Sequence, residues 1–172
     1  MPELPEFLEG EFRCKLDARH RLAVPQALAE PFTAAGGPYV LAKERLGCAS
    51  LWNAAIWEST VNLKVELARQ KVRGGLWNHR IERAQLFGRL LSTRHTRVVI
   101  DRKYRLVVPE DVRQFLGLTE PIAKAPEEGS EAGRHLTVLG AAVCIEIWHP
   151  RAWLKYLARR MPKFRELIEE LS

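Results

Sequence analysis

Cysteine is scarce in this chain, and the little there is forms no pattern. The 172 residues hold three, Cys14, Cys48 and Cys144, widely spaced and set in apolar runs. Such spacing supplies neither a metal-ligand pair nor an even-numbered disulfide framework, and it fits core packing in a reducing cytosol. Long apolar runs are missing too: no stretch approaches the ~18 residues that would suggest a membrane span. The first ten residues, MPELPEFLEG, are acidic and proline-rich, unlike a signal peptide. A soluble intracellular protein with no membrane partner is therefore expected. Catalytic signatures are lacking as well, with no G-x-S-x-G, Walker A, G-x-G-x-x-G or H-E-x-x-H run. The five histidines, His20, His79, His95, His135 and His149, are scattered through mostly polar segments and read as surface residues rather than metal ligands. A fold could bring Cys14 to His20 as a nucleophile pair, but strand alternation buries Cys14. No enzyme activity, cofactor or metal is expected.

What the chain does have is positive charge. Lys and Arg number 27 against 21 Asp and Glu, a net charge of +6 and a pI of about 9.5. This suits an anionic partner such as nucleic acid, though many basic proteins have none. Apolar content of 47% and charged content of 28% are those of a globular protein. The length suits one medium domain, or two small repeats that share a core.

A repeat is present. RCKLDARHRLAVPQALAE over 13–30 returns as RVVIDRKYRLVVPEDVRQ over 97–114, displaced by 84 residues. Both copies read apolar-Asp-x-x-x-Arg-Leu-x-Val-Pro. The shared residues include Asp17 and Asp101, Arg21 and Arg105, Leu22 and Leu106, and Pro25 and Pro109. An Asp four residues before an Arg, between apolar runs, predicts a hairpin with a polar loop. Proline just beyond it suits the first turn of a helix. A second match, Cys48 to Trp52 with Trp57 against Cys144 to Trp148 with Trp153, is displaced by 96. The tryptophans are read as core and helix-anchoring residues.

Each unit is thus expected to run strand, polar loop, strand, short helix, strand, turn, strand, helix. Strands are placed at 11–16, 21–24, 39–42, 48–52, 97–100, 106–108, 136–139 and 143–148. Helices are placed at 25–32, from the Asn53 cap to about 71, and at 78–91, 109–116, 150–160 and 162–171. The organisation expected is a leader over 1–9, a first unit with its helix over 10–74 and a connecting helix over 75–96. A second unit over 97–160, with a surface insertion at 119–135, and a C-terminal helix over 161–172 complete it. The insertion largely accounts for the change of displacement.

The two Asp-x-x-x-Arg loops are the candidate site. An Asp and Arg paired across a turn can hold it rigid, a structural role that needs no ligand. Their charged surroundings allow more. Arg13, Lys15, Arg19, His20 and Arg21 crowd the first loop with only Asp17 opposing them. Arg97, Arg102, Lys103 and Arg105 surround Asp101, preceded by Arg94 and His95. A β-hairpin can enter the major groove or straddle it, and Arg suits both guanine and phosphate. An ordinary solvated loop is the competing reading. A second basic cluster, Arg69, Lys71, Arg73, His79, Arg80 and Arg83, reads equally as helix surface, subunit contact or phosphate contact.

The doubled motif with its Leu-x-Val-Pro continuations, the strand-Trp-helix-Trp segments, and Phe7 and Gly10 in a Phe-x-x-Gly start resemble the MraZ family. That family consists of bacterial transcriptional regulators built from two SpoVT/AbrB-like swapped-hairpin units, and the resemblance covers about residues 8–158. It implies an α+β fold, a duplicated swapped-hairpin β-barrel with flanking helices. It also implies a ring-like homo-oligomer in the cytoplasm and nucleoid that binds double-stranded DNA at promoter direct repeats of the division and cell-wall gene cluster. The family's DNA-facing loop falls on Lys15, Arg19 and Arg21, with Arg13 beside them and His20 as an added contact. Lys103 and Arg105 match in the second copy, and Asp17 and Asp101 brace the turns. The chain departs from the family where a glycine usually precedes the motif Arg: His20 and Tyr104 stand there, and slightly reshaped turns are expected. An antitoxin-like or partner-binding module, and a structural oligomer that has lost DNA binding, are the alternatives.

Overall fold

The computed structural model describes residues 4, 6–75, 80–118 and 134–172. Most of the insertion expected at 119–135, and His79 of the second basic cluster, lie outside the described residues. The first unit forms β1 (Glu11–Lys15), β2 (Arg21–Ala23), α1 (Gln26–Thr33), β3 (Tyr39–Arg45), β4 (Cys48–Asn53) and α2 (Ala54–Arg73). After α3 (Ile81–Thr93) the order repeats as β5 (His95–Val98), β6 (Arg105–Val107), α4 (Glu110–Phe115), β7 (His135–Gly140), β8 (Ile145–Trp148) and α5 (Pro150–Arg160). A 3-10 turn (Met161–Lys163) and α6 (Phe164–Glu170) follow. Local chemistry sets the ends. The Asn53 side chain accepts the amides of Ala55 at 3.0 Å and Ile56 at 3.4 Å, so α2 starts on a satisfied cap. Gly117 takes a φ of 79° just past α4, and the Leu118 amide donates back to the Arg113 carbonyl at 2.9 Å.

The two units exchange strands rather than folding side by side. β1 of the first pairs antiparallel with β7 of the second, and β5 of the second pairs with β3 of the first. β4 pairs with β8, which gives one six-stranded sheet in the order β1-β7-β8-β4-β3-β5. β2 and β6 pair only with each other, as a separate two-stranded ribbon.

The expected β-barrel is therefore not formed, because no sheet among the described residues closes on itself. The large sheet ends at β1 and β5, and among the described residues the single bridges Leu16–Leu22 and Ile100–Leu106 link those edges to the ribbon. The cause lies in the hairpins. β2 and β6 are three residues long and run within two residues into Pro25 and Pro109, which have no N–H to extend a ladder. Their remaining donors are already used between the copies: the Val24 amide donates to the Tyr104 carbonyl at 2.8 Å, and the Val108 amide to the His20 carbonyl at 2.9 Å.

One core unites both layers. Leu22 and Leu106 of the ribbon, Val24 and Val108, Leu28 of α1, and Val112 and Leu116 of α4 are buried with Leu41, Leu51, Leu136, Ile145 and Ile147 of the sheet. Equivalent residues of the two copies thus bury one another, which is why neither unit needs a core of its own. The tryptophans behave as expected. Trp57 packs α2 on Val40 and Ala42, and Trp148 is buried against Trp153 and Tyr156 of α5. Leu8, within the stretch read as a leader, is buried and bridges Ala142. Gly140 permits this approach, since a Cβ there would lie 2.5 Å from the Leu8 carbonyl carbon.

Several strands begin or end elsewhere than the pattern suggested, and β3 runs to Arg45 rather than stopping at 42; β5 and β8 shift most at their starts. β5 runs over His95–Val98 rather than 97–100, because its register with β3 pairs His95 with Ala42 and Val98 with Tyr39. Val99 beyond it is exposed. β8 starts at Ile145 rather than at 143, because Ala142 takes a φ of 61° and the Ala141 amide closes a turn onto the Cys144 carbonyl.

Candidate nucleic-acid interface

The two motif loops share one construction. In the first, the His20 amide donates to the Asp17 carbonyl at 3.0 Å, and the Asp17 amide donates to the Arg21 carbonyl at 3.0 Å. Tyr104, Asp101 and Arg105 repeat this at 3.0 Å and 2.9 Å. This is a three-residue hairpin loop whose last residue is left-handed, the position where glycine is cheapest. His20 and Tyr104 nonetheless stand there with φ of 59° and 57°. The left-handed position is thus occupied in both copies without glycine.

The aspartates supply the bracing. Asp17 Oδ1 accepts the amides of Arg19 at 2.8 Å and Arg21 at 2.9 Å, while Oδ2 accepts Arg21 Nε at 2.6 Å. Asp101 does the same with Lys103 at 2.8 Å, Arg105 at 3.0 Å and Arg105 Nε at 2.9 Å. Both carboxyls are held below the usual carboxylate range. The first cause is the backbone amide of Arg21 or Arg105 respectively, and the paired guanidinium adds to it. Bracing is thus a property of each loop in the free protein.

The ribbon places the two motif arginines on one surface. Arg21 pairs with Val107, Leu22 with Leu106 and Ala23 with Arg105. Partners across an antiparallel pair share a face, and so do alternate residues of a strand. The Leu22/Leu106 pair is buried, so Arg21, Ala23, Arg105 and Val107 form the outer face, with the arginines at opposite corners. Arg19, Arg102 and Lys103 are exposed at the loop tips. Arg13 and Lys15 occupy the exposed positions of β1, the edge strand leading into the first loop. Arg97 occupies the matching edge on β5, where its guanidinium lies 3.6 Å from Glu58.

Two arginines that the sequence pattern did not bring to this site belong to it. Arg113 of α4 and Arg134, just before β7, both act electrostatically on His20. Burial holds the His20 imidazole below its ordinary range; Arg113 and Arg134 push the same way, and Asp17 and Glu110 oppose them. No sequence signal links residues more than 90 positions apart, and only the strand exchange brings α4 to the first loop. Among the other expectations, Cys14 is partly buried and Cys48 and Cys144 are buried, and burial raises all three thiols. In the second basic cluster, Arg69, Lys71 and Arg73 are exposed on the last turns of α2, with Arg69 Nη1 3.7 Å from Glu66. Among the described residues no group of three His, Cys, Asp or Glu could hold a metal ion, and no helix is long and apolar enough to cross a membrane.

Known proteins resemble this chain over most of its length. Residues 92–170 match a family model described as "MraZ: MraZ protein, putative antitoxin-like". The chain is 23% identical over 162 residues to the transcriptional regulator MraZ of Heliobacterium modesticaldum, covering 94% of each chain. It is 24% identical over 163 residues to that of Symbiobacterium thermophilum, covering 95% of this chain and 99% of the relative. Against that of Micrococcus luteus the identity is 25% over 162 residues, again covering 94% of each.

Proposed function

We propose, from the premise that this chain belongs to the MraZ-like family of transcriptional regulators, that it binds double-stranded DNA through the outer face of the β2–β6 ribbon and the first braced loop. The observation that carries this reading is the pair of carboxylate-anchored arginines, Arg21 and Arg105, at opposite corners of one exposed ribbon face. An arginine whose Nε is already tied offers its guanidinium with little freedom left to lose. That suits bidentate recognition of guanine or phosphate. β-ribbons are known to enter grooves in this way. Arg13, Lys15 and Arg19 then take phosphates and set the register, with His20 beside them, while Lys103 flanks Arg105 at the far corner. Asp17 and Asp101 hold the turns.

The targets are short direct repeats in the promoter ahead of the chain's own gene, in the division and cell-wall gene cluster, with the protein in the cytoplasm and nucleoid. The chain is a regulator by family and not an enzyme. It acts as a homo-oligomer in a ring, so that several weak loop contacts add through effective concentration. Complementary helix faces support this. α3 exposes Leu86 and Leu90 and carries Glu82, Arg83 and Arg89, and α6 exposes Phe164, Leu167 and Ile168 and carries Arg165, Glu166, Glu169 and Glu170. An exposed apolar helix of net positive charge on one subunit and one of net negative charge on the next suit a head-to-tail contact, the kind that closes into rings.

The test is a salt-titrated shift assay on DNA upstream of the chain's own gene, run beside light scattering on the eluting protein. Preference for that DNA over a scrambled sequence, lost steeply with salt, is the expected result. Equal affinity for both, with a toxin co-purifying, would favour the antitoxin-like reading that the family description carries.

A further inference from the structure

We infer that the first DNA-facing loop is completed by the second unit: Arg113 of α4 is a positioning residue that locks the loop and, with Arg134, whose carbonyl accepts the Leu16 amide at 2.9 Å at the foot of the same loop, makes a phosphate subsite at His20. The inference rests on the DNA-binding reading above and assigns it two further residues.

The lock is a short chain of hydrogen bonds. Arg113 Nη1 donates to the Val108 carbonyl at 2.9 Å, and the Val108 amide donates to the His20 carbonyl at 2.9 Å. His20 is the strained, left-handed residue on which the loop turns. A single peptide segment at Val108 is therefore gripped by Arg113 on one side and grips the loop on the other. Arg113 is only partly exposed and is fixed by this bond, so its remaining charge is held near the imidazole.

Among the described residues the second loop has no such side-chain support. The residue equivalent to Arg113 in the first copy, 84 positions earlier, is Ala29, buried in the core. The Val24 amide still reaches the Tyr104 carbonyl, but Ala29 has no side-chain donor to bond the Val24 carbonyl. Tyr104 itself packs against the core. Equal motifs thus become unequal sites: one loop has Arg113 and Arg134 acting on a titratable imidazole, and the other has a phenol. The groups acting on His20 are Asp17, Glu110, Arg113 and Arg134. Burial first, and then the two like charges, disfavour the charged imidazole in the free protein, and an arriving phosphate opposes that bias and favours proton uptake.

The test uses the full chain and two readouts. Arg113→Met removes a positive neighbour, so the NMR titration midpoint of His20 rises, and the Val108 amide exchanges faster. Affinity for the upstream DNA falls about 3- to 10-fold, with a smaller loss on scrambled DNA. Arg113→Lys keeps the charge and restores the low His20 midpoint. Ala29→Ser, a change of similar position in the other copy, moves neither His20 nor the binding. An unmoved His20 midpoint in a folded Arg113→Met chain overturns the inference whatever happens to DNA. A shifted midpoint with full DNA affinity overturns the subsite. A wild-type chain with the expected titration and no DNA preference would instead sink the functional reading while leaving the Arg113–His20 coupling standing.

Discussion

Asp17 holds Arg21 at two points, its Oδ1 accepting the backbone amide at 2.9 Å and its Oδ2 accepting Nε at 2.6 Å. The carboxylate thereby fixes the turn and the side chain together. Asp17→Asn keeps an acceptor for the amides but not the ion pair, and Asp17→Ala keeps neither. Binding to the upstream DNA is expected to weaken in that order, as read by titrated shift assays. Arg21→Ala should cost on the order of 10-fold or more in specific affinity, and less in non-specific affinity. Retained promoter preference in a folded Arg19→Ala, Arg21→Ala chain would remove these residues from the interface.

Both motif carboxyls have a folded pKa below the unfolded value, so they stabilise the fold when ionised. The sign follows directly: their contribution is complete above the ordinary Asp value of about 3.9 and is lost as pH falls through the lower folded value. Denaturant midpoints measured downward from neutral pH should decline in that acid window. In the Asp17→Asn, Asp101→Asn chain the decline should be shallower. An identical decline in both proteins would count against the bracing role.

Much of this fold could be read from residues alone. The displacement of 84 makes Leu22 and Leu106 equivalent residues of a repeat, and the structure pairs them across the ribbon. Caps such as Asn53 and stops such as Gly117 are local and were visible for that reason. Closure of the sheet was not legible. It depends on whether β2 and β6 spend their hydrogen bonds on the neighbouring strand or on the other copy, and no local pattern encodes that choice. Arg113 was missed likewise, because its role depends on strand exchange. His20 was singled out as a replaced glycine and an added contact, but three of the four charges acting on it, Arg113, Arg134 and Glu110, come from the other unit.

The left-handed turn residues carry a stability prediction. A non-glycine residue at a φ of 59° bears a strain of roughly 1 kcal/mol. His20→Gly should therefore raise the denaturant midpoint with an unchanged slope, by up to about 1 kcal/mol less the added freedom of the unfolded chain. Tyr104→Gly relieves the same strain but removes a ring packed on the core, and should be neutral or destabilising. A destabilised His20→Gly chain would mean that the imidazole's own contacts outweigh the strain.

The ribbon is also the point at which the two units share their core. Leu106 is 1% exposed and Leu22 fully buried, so Leu106→Ala should cost about 2–5 kcal/mol in equilibrium unfolding. The cut is expected to loosen the first loop as well as the second, because His20 is tied to Val108 two residues away. Amide exchange at His20 and Tyr104 would report both effects. Faster exchange at Tyr104 alone would show that the loops are independent.

The helix faces give the last prediction. If α6 of one subunit seats on α3 of the next, Glu166→Lys, Glu170→Lys chains should fail to assemble, since lysines then meet Arg83 and Arg89. Arg83→Glu, Arg89→Glu chains should fail for the mirror reason. Mixed together, the two variants present opposite charges at every junction, α6 acid on α3 base and α6 base on α3 acid, and assembly should return. Non-specific loss of folding would not be repaired by mixing, so the rescue separates an interface from a merely weakened protein. Light scattering on each variant and on the mixture reads the outcome directly. Variants that assemble alone as well as the wild type would remove α3 and α6 from the ring contact. DNA affinity should follow assembly, because isolated subunits lose the effective concentration that joins one loop's contact to the next.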